Sequence, residues 1–184
     1  MTTNNLPTND CQPTGSGMHA EGLAAQWHDT LHDATRHHSK LFVLAFRMAL
    51  PPGLSVPPNG PPVEEFLDTL SERLREKRLD PVYMCIEQQA DGAAPVRHVV
   101  ILTLDGQRTQ SAAGHLRLAD TIWSQLLGVI PTGELVLPCL CEDGSAGRQI
   151  RRDRPNMEEQ IAACYRWGCR LIGTPASQTG GFSQ

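Results

Sequence analysis

Two strand-like runs joined by a stretch of turn residues constrain this chain more than any other feature. Val82-Tyr83-Met84-Cys85-Ile86 and Val96–Leu104 are rich in β-branched and aliphatic residues, and Ala90-Asp91-Gly92-Ala93-Ala94-Pro95 separates them. Asp-Gly and Pro between two such runs reverse the chain, so the runs are expected to pair as an antiparallel hairpin. Asp80-Pro81 on one side and Asp105-Gly106 on the other mark its ends. The fold must therefore include a sheet with local antiparallel pairing.

The remaining segments alternate in period. Leu23, Trp27, Leu31 and Ala34 recur at helical spacing over Glu21–His38, and Leu41-Phe42-Val43-Leu44-Ala45-Phe46 reads as a buried strand. Gly53–Pro62 carries four prolines and is expected to be a loop. Val63, Phe66, Leu67, Leu70 and Leu74 then define an amphipathic helix ending near Leu79, with Pro62 suited to its first turn. Leu116, Ala119, Ile122, Trp123 and Leu126 define another, stopped by Gly128. Gly133–Leu137 is a short strand, Glu142–Arg154 a polar loop, and Asn156 with Glu159 a capping pattern. A last helix follows, with Met157, Ile161, Cys164, Gly168 and Leu171 on its apolar stripe.

Strand runs interleaved with helices, with adjacent strands joined tightly, point to an α+β fold. The expected architecture is a two-layer sandwich, an antiparallel sheet with helices packed on one face. Residues 19–173 form its single domain, after a disordered polar segment 1–18 and before a flexible Gly/Ser/Thr/Gln-rich tail 174–184. At 184 residues the chain can bury one sizeable core, and with only 5% aromatic residues that core is mostly aliphatic.

Sixteen basic against twenty acidic residues give a net charge of −4. That excludes a surface that grips nucleic acid everywhere, but a local basic patch still acts over a Debye length of about 10 Å. The N-terminus has no basic start followed by an apolar run, so no secretion signal is expected. Apolar stretches such as Val99–Leu102 fall far short of the ~20 residues a membrane span needs. Six cysteines without a leader read as reduced thiols, and the expected location is cytoplasmic.

Chemistry gathers at the hairpin. Val96, His98 and Val100 share one face of their strand. Glu87 stands where His98 could meet it across the pair, at roughly 4.5–5.5 Å between Cβ atoms. A carboxylate and an imidazole there could hold a divalent ion, or simply pair with each other.

The run Ser39–Arg47, the strand bearing Glu87, and Pro95–Gly106 resemble the replication-initiation proteins of filamentous phages and their prophage relatives. These are similar to the wider superfamily named for two histidines flanking a hydrophobic residue. Trp123 and Tyr165-Arg166-Trp167 add to the likeness, which spans about Ser39 to Leu171. The resemblance implies a Mg²⁺ or Mn²⁺ ion held at Glu87 and His98. It also implies a helical tyrosine that attacks a scissile phosphate and retains the DNA as a phosphotyrosine ester. The chain departs from the pattern twice. Val96 stands at the first histidine position, and Arg170 at the position that matches the tyrosine. Tyr165 remains as a candidate nucleophile, five residues away and so roughly 140° around the helix.

Arg148, Arg151, Arg152 and Arg154 form the densest basic run and could contact phosphates or a partner from a loop. Arg73, Arg75, Lys77 and Arg78 alternate with Glu72 and Glu76 and read as a salt-bridged helix face. Cys139-x-Cys141 and Cys164-x4-Cys169 could supply four thiolates for zinc, although without C-x2-C spacing. His28-x3-His32 puts two imidazoles on one helix face, a spacing that can bind a metal but, without the Glu of the protease pattern between them, reads as a solvated face.

Two functions are expected from this pattern. One is a non-catalytic binding protein of a phage, prophage or plasmid, built on a degenerate initiator fold. It would act on single-stranded DNA or RNA, or on a host nucleoprotein complex, for example as an inhibitor of a host defence system. The other is an active metal-dependent initiator that nicks single-stranded DNA through Tyr165, with Glu87 and His98 holding the ion.

Overall fold

Every second residue of the run Lys40–Met48 points to the same face of a sheet, yet nearly all of them are apolar, so this strand must be covered on both sides. The structure, a computed structural model, describes residues 18–51, 53–54, 61–88 and 97–173. Its elements in chain order are α1 (Met18–His37), β1 (Lys40–Met48), α2 (Val63–Glu76), β2 (Val82–Gln88) and β3 (Arg97–Asp105). Then follow α3 (Ala113–Leu126), β4 (Val136–Pro138), β5 (Gly147–Arg151) and α4 (Met157–Ile172).

The five strands make one antiparallel sheet in the order β2-β3-β1-β4, with β5 also on β1 beyond β4. β1 is central: it pairs with β3 from Leu41↔Asp105 to Met48↔His98, and on its other side with β4 and then β5. The expected hairpin is present as β2 and β3, in register from Val82↔Thr103 to Gln88↔Arg97. Its turn, together with Val96, falls outside the described residues, as do residues 1–17 and 174–184.

The α+β class and the antiparallel sheet with helices stacked on it are as the sequence predicts. The layering is fuller than one covered face. Phe42, Leu44 and Phe46 of β1 and Val100, Leu102 and Leu104 of β3 pack with Phe66, Leu70 and Leu74 of α2 and with Trp123 of α3. Leu41, Val43 and Ala45 of β1 and Val99 and Ile101 of β3 pack with Trp27 and Leu31 of α1 and with Cys164 and Trp167 of α4. Two helices therefore lie on each side of the sheet. Fully burying one such side chain contributes roughly 1.5–3 kcal/mol, so both faces contribute to stability.

On the first side Phe66 stands edge-on between Phe46 and Trp123, with ring centres 6.2 and 5.6 Å away. The Trp123 indole donates to the Ala49 carbonyl at 2.8 Å. On the second side α1 lies directly against α4, because Trp27 covers the bare backbone at Gly168. Asp120, buried on α3, accepts from the amides of Gly133, Leu135 and Val136 at 2.9, 3.2 and 3.3 Å, and so fixes the entry to β4.

Two local expectations change. Glu142–Arg154 contains a strand, β5, pairing Leu41↔Ile150 and Val43↔Arg148. Gly147 permits that approach, since a Cβ there would stand 2.7 Å from Cζ of Phe42. Asn156 does precede α4, but its side chain caps no helix amide. It accepts from Gln160 Nε2 at 2.8 Å, while Gln160 Oε1 accepts from the Arg151 amide.

Candidate functional site

The hairpin register puts Glu87 directly opposite His98, with Met48 on the other side of His98. Both side chains face α2 and α3, by parity with Cys85 and Val100. They sit at the end of the sheet where β2 finishes. Glu87 is exposed and His98 half-buried. The His98 Nε2 atom is buried without a hydrogen-bond partner among the described residues. Burial pushes the His98 imidazole below its ordinary value, and the nearby Glu87 carboxylate opposes that shift without cancelling it. A neutral imidazole beside an exposed carboxylate is the result.

In the pattern that the resemblance implies, two histidines and a further polar ligand hold the ion, and Glu87 with His98 supplies only one imidazole and one carboxylate. Among the described residues no group of three or more His, Cys, Asp or Glu side chains is arranged to hold a metal ion. The ligand set does not fit, and no step through a metal at Glu87 and His98 is derived. The four-thiolate zinc arrangement is not assembled either. Cys139, Cys141, Cys164 and Cys169 are buried, and burial pushes the Cys139 and Cys164 thiols up, away from the thiolate that zinc requires.

Tyr165 does not join Glu87 and His98. It belongs to α4 and packs with the core on the α1 side of the sheet, whereas His98 and Glu87 face α2 and α3. The sheet itself separates the phenol from the pair. Its neighbour is His28 of α1, edge-on with ring centres 5.6 Å apart. The phenol is pushed up to about 12, first by burial and then by its contact with Cys169, so it is protonated near neutral pH. Arg170, at the position matched to the initiator tyrosine, is salt-bridged to Glu142 at 2.6 Å.

The arginine run divides. Arg148 lies on β5 with its side chain toward α4, half-buried, and its Nε is buried without a partner among the described residues. It is thus not part of an exposed loop. Arg151 closes β5 and holds Asp153 through two bonds of 3.2 and 3.0 Å. Arg152 donates to the Arg36 carbonyl at 2.9 Å, and both Arg152 and Arg154 are exposed.

These last three lie at the end of the sheet where β1 begins and β3 and β5 finish, and topology brings distant cations to them. Arg36 lies in the last turn of α1, Lys40 pairs with Arg151 in register, and Arg108 follows β3. Lys77 and Arg78 connect α2 to β2, where Arg78 and Asp80 hold positive φ values of 56° and 47°. Non-glycine residues in that region cost strain, here flanking the buried Leu79 and leaving Arg78 exposed. The element ends and connections here carry eight Lys and Arg against five carboxylates, Asp33, Glu76, Asp80, Asp105 and Asp153. Each carboxylate has a cationic or histidine partner, in the same order Arg36 at 3.4 Å, Arg73 at 3.5 Å, His38 at 3.0 Å, Arg108 at 3.4 Å and Arg151 at 3.0 Å. A chain with net charge −4 therefore has a net positive end. Sequence inspection found only the Arg151–Arg154 part of it, because the other cations are scattered between Arg36 and Arg108.

No family model, curated protein or solved structure matches this chain. Among the described residues no helix is long and apolar enough to cross a membrane.

Proposed function

We propose that this chain is a non-catalytic nucleic-acid-binding protein of a mobile genetic element, derived from a rolling-circle initiator. It would engage single-stranded DNA or RNA, free or within a host nucleoprotein complex such as a defence system, and thereby block or regulate that complex. The observation that carries this reading is the positive end of the sheet. Exposed guanidinium and ammonium groups on several rigid connections can meet successive phosphates, and such contacts supply most of a sequence-independent affinity. Arg152, Arg154 and Arg151 are the central contacts, with Arg36 and Lys77 beside them.

The resemblance of the hairpin supports the ancestry. The separation of Tyr165 from Glu87 and His98 by the sheet, and the protonated state of that phenol, weigh against nicking. Phosphoryl transfer to tyrosine needs the attacking oxygen, the ion and the phosphate within one site.

Single-stranded oligonucleotides incubated with the protein and Mn²⁺, then resolved under denaturing conditions, test the choice. The expected result is retarded DNA on a native gel and neither cleavage nor covalent adduct on the denaturing one. A covalent adduct lost in Tyr165→Phe would overturn the non-catalytic reading and restore the initiator activity.

A further inference from the structure

His28 and His32 are four residues apart on α1, and their rings stand 4.4 Å apart between centres at an interplanar angle of 50°. We propose that they form a two-imidazole site for a divalent transition-metal ion on the outer edge of the seam between α1 and α4. Helical histidines at this spacing project from one face and can share an ion, as in helical zinc motifs. With metal–nitrogen bonds of about 2.0–2.1 Å, two imidazoles on one ion hold their ring centres roughly 4.5 Å apart at a right angle and roughly 5.2 Å apart at the tetrahedral angle. At 4.4 Å the rings stand close to the right-angle value and open by less than about 1 Å to reach the tetrahedral one.

Three neighbours prepare them. Asp29 Oδ1 lies 3.3 Å from His28 Nδ1. A proton donated there leaves the Nε2 lone pair free for a metal, the usual role of a carboxylate behind a ligating histidine. Tyr165 presses edge-on against the His28 ring and limits its rotation. As a protonated phenol it acts as a wall and not as a ligand. The contact of Trp27 with Gly168 holds α1 firmly on α4, so the chelate is mounted on a rigid helix. The His28 side chain remains 45% exposed, which leaves room for waters to complete the coordination shell. Imidazole donors of this kind suit zinc, nickel and copper, not magnesium or calcium.

The site is independent of the nucleic-acid reading and of the Glu87–His98 pair, and the variants separate them. Calorimetric titration of the full chain with ZnCl₂ is expected to give one ion per chain. His28→Gln and His32→Gln should each weaken binding by about tenfold or more, and Asp29→Ala by about tenfold, whereas His98→Gln and His37→Gln leave it unchanged. Circular dichroism identifies any variant that fails to fold. The wild-type chain gives a second measure: loaded with one equivalent of Cu²⁺, its electron paramagnetic resonance spectrum should show coupling to two imidazole nitrogens. Zinc binding that is equal in wild type and the folded His28→Gln and His32→Gln variants would overturn the proposal. So would a copper spectrum lacking two-nitrogen coupling.

Discussion

Gly168→Ala tests the packing that holds α1 to the sheet. A Cβ at position 168 would overlap Trp27 Nε1 and stand 2.6 Å from Cδ1 and Cε2 of the same ring. Carbon atoms pack at about 3.5–4.0 Å, so the two helices must part by about 1 Å or the indole must leave its rotamer. Overpacking of this sort costs about 1–3 kcal/mol. The upper end applies, because Trp27 is 1% exposed and has no space to swing into. Alanine returns about 1 kcal/mol through its better helix propensity, leaving a net loss of about 2 kcal/mol. Urea denaturation of the variant measures it. The double-mutant cycle with Trp27→Leu isolates the clash: in that background Gly168→Ala should stabilise by about 1 kcal/mol, giving a coupling of about 3 kcal/mol. A Gly168→Ala protein more stable than wild type would refute the α1–α4 contact and the rigid seam beneath His28 and Tyr165.

Other consequences follow from single groups. Asp120→Ala leaves the amides of Gly133, Leu135 and Val136 without their acceptor. Urea denaturation should show a loss of about 2–4 kcal/mol, because buried donors left unsatisfied cost about 1–3 kcal/mol each and relax only in part. Stability should also depend on pH through His98 and His115, both held below their ordinary value of 6.5, chiefly by burial. A group whose folded value is depressed takes up its proton first in the unfolded chain. Stability is therefore full above about pH 6.5, falls as the pH drops from there to the folded values, and levels off below them. Thermal melts between about pH 7.5 and about pH 5, which span that value, should show this decline, and His98→Gln should lessen it. Identical slopes in the two proteins would refute the buried, neutral state of His98. Tyr165→Phe, remote from the positive end, should leave oligonucleotide affinity within about twofold of wild type, since non-contacting surface changes have small effects.

Much of the fold was legible because its strands and helices carry strong periods. The five positions Val63, Phe66, Leu67, Leu70 and Leu74 are all buried on α2, and the two flanking runs pair as an antiparallel hairpin with Glu87 opposite His98. Coverage of both faces was also written in the chain. A continuous apolar run such as Leu41–Phe46 signals a strand with no solvent side, whereas a strand with helices on one face alternates. β5 was not legible: Gly147-Arg148-Gln149-Ile150-Arg151 has one core residue, Ile150, and its strand state comes from pairing with β1. The side of the sheet taken by α4 was hidden for a similar reason. Periodicity identifies the buried stripe of a helix but not the surface it meets, so the separation of Tyr165 from His98 emerges only from the tertiary structure. The positive end likewise depends on topology, which collects cations that are far apart in sequence.

The central claim is that this end of the sheet binds the nucleic-acid backbone without cutting it. Fluorescence anisotropy of a labelled single-stranded oligonucleotide, titrated with protein between about 50 and 200 mM salt, tests it most directly. Log affinity should fall linearly with log salt, and the combined variant Arg152→Gln/Arg154→Gln should reduce the slope by about 1.4, near 0.7 for each phosphate contact removed on a single strand. Binding that is absent at low salt, or whose slope and strength are unchanged in the variant, would contradict the account.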